Sequence, residues 1–126
     1  MPRTLVFLHT SPVHIATFDG LLAASGADVA ARHIVDEGLL SDARAGGITP
    51  ELAGRVRRRI AEAGDDALVL CTCSTIGGCA EMAGAQRVDR AMAERAVAAG
   101  PRIILAAALA STLEPTRRLL EEVAAR

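Results

Sequence analysis

The stretch "ALVLCTCSTIGGCAEM", residues 67–82, decides how this chain reads. Its first six residues, ALVLCT, form a continuous apolar run set between Asp65–Asp66 and a series of small residues, which is the pattern of a strand buried on both faces. Glycines 77 and 78 then predict the opening of a short helix. A strand covered on both faces needs helices packed above and below it, so the rest of the chain should alternate between the two element types.

It does so in both directions. Upstream, TLVFLHT (4–10) is a second short apolar run, ended by the turn-like Ser11–Pro12, and a helix is predicted from Val13 to Ala24 with its stop near Gly26. DVAARHIVDE (28–37) reads as a strand, and SDARAGGITPEL (41–52) carries loop signals. Thr49 is placed there as the N-cap, and Pro50 as the first residue, of a helix running from about Glu51 to Ala63 and stopped by Gly64. Downstream, VDRAMAERAVAA (88–99) fits an amphipathic helix with Asp89 near its start and Gly100–Pro101 as its stop. RIILAAAL (102–109) predicts a further strand, and STLEPTRRLLEEVAAR (111–126) a last helix with Leu113, Leu119, Leu120 and Val123 as its apolar positions. The expected fold class is α/β, an open, mostly parallel four-stranded sheet flanked by helices, in one domain spanning residues 1–126. Ligands of such a sheet sit at the carboxyl ends of its strands.

Composition narrows the chemistry. A net charge of −1 and only two aromatics, Phe7 and Phe18, give nucleic acid neither a basic surface nor a stacking platform. The longest apolar run, IILAAALA (103–110), is far too short to span a bilayer, so no membrane partner is expected, and the chain reads as cytoplasmic with reduced thiols. Every one of the 14 basic residues is Arg. Without lysine the chain can form no Schiff base and has no P-loop lysine, and general acid–base work falls to Cys, His, Asp or Glu.

Three predicted strand exits, HTSPVH (9–14), CTCSTIGG (71–78) and ALASTLEPT (108–116), each carry small hydroxyl residues. Hydroxyls and backbone N–H groups at helix N-termini can cradle a carboxylate, although Ser and Thr at such turns are also ordinary caps. Cys71 and Cys73 lie on one side of an extended strand, and Cys79 lies on the next helix. Zinc would need His9, His14 or His33 to complete an unfamiliar C-x-C-x5-C set, and a disulfide is disfavoured in a reducing compartment. Cys71 and Cys79 read as small buried apolar side chains. Cys73 stands where the apolar run has ended and a helix begins, and there a thiol becomes a better base or nucleophile.

LVLCTCSTIG, together with VDRAMAERAV followed by RIILAAALASTLEPT, resembles the aspartate/glutamate/hydantoin racemase superfamily, and the likeness runs over nearly the whole chain. The resemblance implies a flavodoxin-like half of an Asp/Glu racemase, with residues 1–100 as the first half and 101–126 as the start of a second. It implies cofactor-independent proton transfer at the Cα of a small carboxylate or amino-acid-like substrate. Cys73 falls on the thiolate base, and Ser11, Ser74, Thr75, Ser111 and Thr112 fall on the groups that hold the substrate. A second catalytic cysteine has no counterpart here, so a homodimer is expected in which two Cys73 thiols face one substrate. The alternative is a binding or assembly domain that keeps the scaffold without turnover. No metal and no cofactor are expected.

Other residues read more plainly. His9 and His14, beside a strand exit, are expected to be hydrogen-bonded structural groups and rank behind Cys73 as acid or base. Asp36–Glu37 and the run Arg55, Arg57, Arg58 and Arg59 are expected to be solvated charges.

Overall fold

The computed structural model describes residues 3–126. In chain order its elements are β1 (Arg3–His9), α1 (Val13–Ser25), β2 (Val29–Val35), α2 (Glu37–Gly46), α3 (Pro50–Ala61), β3 (Leu68–Cys71), α4 (Ser74–Met82), β4 (Gln86–Arg87), α5 (Asp89–Ala99) and α6 (Ala110–Ala124). The four strands form one parallel sheet in the order β2-β1-β3-β4. This is an α/β fold with the strand order of flavodoxin-like sheets.

Period-2 alternation along β1 explains how the sheet is clothed. Val6 and Leu8 point to one face, where they join Val69 and Cys71 of β3 and the buried residues Leu39, Ala43, Leu52, Val56, Ile76 and Ala80 of α2, α3 and α4. Phe7 and His9 point to the other face, where α1 lies, and no residue of that helix is fully buried. A second, smaller core of Ala93, Leu119 and Val123 joins α5 to α6.

Local signals account for most boundaries. Thr49 caps α3, its Oγ1 accepting the Leu52 N–H at 3.1 Å, with Pro50 in the first turn. Gly26 closes α1 at φ 69°, a left-handed turn that glycine adopts without penalty. Leu119, Leu120 and Val123 face the core from α6 as expected, while Leu113 remains exposed.

Three expectations are corrected. The run RIILAAAL (102–109) forms no strand: it has no regular structure, and Ile104 is 97% exposed. An apolar run becomes a strand only when a neighbour pairs with its backbone and a layer covers its side chains. Here the outer edge of β3 is taken at Leu70 and Cys71 by β4, which supplies the fourth strand instead. β4 itself is only Gln86–Arg87, polar and too short to leave a pattern, and is extended by the Val88 N–H bonding to the Cys71 carbonyl.

Residues 41–46, predicted as loop, belong to α2, whose Leu39 and Ala43 are buried at i,i+4 spacing and whose Gly46–Gly47 pair marks the end of the helix. Finally, α4 opens at Ser74 rather than at Gly77–Gly78. Gly77 is needed inside the helix because a Cβ there would lie 2.8 Å from the Arg87 Nε. The Arg87 guanidinium is buried against that turn and is held by two bonds to Asp89, at 2.6 and 3.0 Å. Such a pair is satisfied only as a pair, which ties β4 to the start of α5.

Candidate functional site

Successive residues after β3 turn from sheet to helix, and the carboxyl ends of β1 and β3 open into a cleft of about 330 Å³. Its lining includes Ser11, Cys73, Ser74, Thr75 and Thr112, so five of the six residues singled out in the sequence converge there, joined by Thr10, His14 and Thr72. Ser111 is not part of the lining. Its contribution is its carbonyl, which accepts the Thr75 hydroxyl at 3.2 Å. The cause is local: Pro115, inside α6, has no N–H to return to the residue four positions earlier, and that residue is Ser111. The orphaned carbonyl takes a side-chain donor from α4, which locks the N-terminal turns of α4 and α6 together on one wall of the cleft.

Cys73 is the N-cap residue of α4, in extended backbone at φ −107°, ψ 117°. Its side chain does not cap the helix, so neither the thiol nor the first N–H groups are consumed by one another. The other two thiols differ. Burial pushes the Cys71 thiol up to about 12, and it donates to the Cys73 carbonyl at 3.6 Å. Burial, and then the nearby Cys73, also push Cys79 upward. Both are therefore protonated packing groups at neutral pH, while Cys73 alone of the three lines the cleft. All three cysteines are free, and among the described residues no group of three His, Cys, Asp or Glu side chains is arranged to hold a metal ion.

The histidines are more organised than the sequence indicated. His9 is fully buried, and its two ring nitrogens contact Thr72 Oγ1 at 2.7 Å and His33 Nδ1 at 2.8 Å. His33 Nε2 in turn contacts Asp19 Oδ1 at 2.8 Å. Phe7, Phe18 and His14 pack around these rings, His9 stacking on Phe7 at 5.5 Å and on His33 at 5.1 Å. Burial first, then His33 and His14, lower the His9 pKa to about 4 against a smaller opposing effect of Asp19, so this imidazole is neutral at pH 7.

The sequence marked His9, His14 and His33 singly but not their meeting, nor the contacts of Thr72 and Asp19 with them. Parallel register sets Phe7 beside His33, so residues 7, 9 and 33 share a face. Strand parity would have placed His9 and His33 together had the order of β1 and β2 been known.

No protein-family model matches this chain, and no curated protein or solved structure does so either.

Proposed function

We propose that the chain performs racemase-like proton transfer at the Cα of a small carboxylate-bearing molecule, with the Cys73 thiolate as the base. The observation that carries this reading is the meeting of one accessible thiol with Ser11, Ser74, Thr75 and Thr112 in a single cleft at the carboxyl ends of the strands. The hydroxyls and the first N–H groups of α4 supply fixed dipoles for a carboxylate and for the charge that develops as the Cα proton leaves. The resemblance of LVLCTCSTIG to the aspartate/glutamate/hydantoin racemase superfamily supports the same assignment.

A single thiol in the cleft favours a second reading, a carboxylate-binding domain without turnover, and it also motivates pairing with a second copy that brings its own Cys73. One experiment separates the first two. In D₂O, with a panel of amino acids, hydantoins and small dicarboxylates, native protein is expected to exchange the Cα–H of at least one compound by NMR, and Cys73→Ala to exchange none. Equal exchange by Cys73→Ala would remove Cys73 as the base. Binding of a panel compound without any exchange would establish the second reading. Sedimentation of the chain as a monomer at high concentration would end the pairing idea.

A further inference from the structure

Thr72, His9, His33 and Asp19 form an unbroken chain of contacts at 2.7, 2.8 and 2.8 Å, running from the cleft to the protein surface. Thr72 lines the cleft, His9 is fully buried, and the Asp19 carboxylate is 53% exposed. We propose that these four side chains are a proton relay connecting the cleft with solvent.

One placement of protons satisfies every contact. Thr72 Oγ1–H donates to His9 Nδ1, His9 Nε2–H donates to His33 Nδ1, and His33 Nε2–H donates to the Asp19 carboxylate. Outward transfer then balances step by step. A group in the cleft gives a proton to the Thr72 oxygen as the Thr72 proton passes to His9 Nδ1. The His9 Nε2 proton passes to His33 Nδ1, the His33 Nε2 proton passes to Asp19, and Asp19 releases it to water. Both rings end in the opposite tautomer, and no ring carries charge at either end of the transfer. In that second state His9 Nδ1–H donates to the Thr72 oxygen, whose own proton has a ready acceptor in the Leu8 carbonyl at 3.3 Å.

Burial suits this use. A neutral imidazole has one donor and one acceptor nitrogen, which is what a relay needs, and the Phe7 and Phe18 rings beside His9 keep water from short-circuiting the path. The relay regains its first state only when a proton carried out is matched by one carried in. That is the stoichiometry of abstraction followed by return at one carbon, and this link to the cleft rests on the function proposed above.

The test uses the full chain labelled with ¹⁵N-histidine. At pH 7 His9 is expected to carry its proton on Nε2, with through-hydrogen-bond coupling to His33 Nδ1. Asp19→Asn keeps the acceptor oxygen at an exposed position but cannot take up the proton. It is expected to slow exchange of the His9 Nε2 proton with water by roughly 10²-fold, the low end of what a positioned acid–base group contributes. Unchanged exchange in Asp19→Asn, or absence of the His9–His33 coupling in native protein, would overturn the relay. Thr72→Val is expected to keep that coupling while slowing any Cα exchange seen with the substrate panel. Cα exchange that Thr72→Val leaves untouched would overturn the connection to the cleft. Asp19-dependent exchange in a protein that turns over nothing would leave the relay standing and remove the racemase reading instead.

Discussion

TLVFLH and RIILAAAL are two apolar runs of nearly equal length, yet one becomes the centre of the molecule and the other a bare surface. β1 has β2 on one side and β3 on the other, and Val6, Phe7, Leu8 and His9 are buried. In 102–109, Ile103, Ile104 and Leu109 are exposed, and among the described residues no strand pairs with the segment. Hydrophobicity is the same kind of quantity in both runs. What differs is the neighbourhood: backbone N–H and C=O groups need partners before a run can leave water, and β1 enters a position with two edges to satisfy them.

The contrast can be broken by truncating each run. Leu8→Ala removes a side chain packed among β3, α2 and α3, and is expected to destabilise the fold by about 3 kcal/mol in urea titration. A loss below about 1 kcal/mol would mean that this core is loosely packed.

Protonation probes β1 more gently. The folded-state pKa of His9 is depressed to about 4 from 6.5, so between those values the unfolded chain binds the proton and the folded chain resists it. The stability contributed by neutral His9 is therefore present above about pH 6.5 and lost as pH falls toward 4. The urea midpoint should drop over that interval in native protein and drop less in His9→Gln. The groups facing His9 in this titration are His33, His14 and Asp19.

The smallest effect is expected in the bare run. Ile104→Ser should change stability by less than about 0.5 kcal/mol, since the side chain is 97% exposed. A loss comparable to that of Leu8→Ala would show that the segment is covered in solution, by a second copy or another part of the fold.

The same logic separates the two halves of the candidate site. The cleft wall built from Cys73, Ser74, Thr75 and Thr112 was legible because each residue sits at a turn, where small hydroxyls and caps announce a helix start. Thr75 and Ser111 were both singled out, but their joint geometry depends on the missing N–H of Pro115, which matters only once α6 is laid beside α4. The relay was not legible at all. His9 and His33 are 24 positions apart and meet only because β2 lies beside β1 in one register. A one-residue slip would turn His33 to the opposite face.

The sequence by itself determined the α/β class, the two central strands and the Thr49 cap, along with the hydroxyls gathered around Cys73. These are encoded in runs, periods and turn residues whose causes lie within a few positions along the chain. Only the tertiary structure decided that Gln86–Arg87 rather than RIILAAAL completes the sheet, that Gly77 makes room for the Arg87 guanidinium, and that the His14 and His33 rings both pack against His9. Each of those outcomes is a choice among competing long-range partners, settled by which backbone edge and which buried charge find their complement.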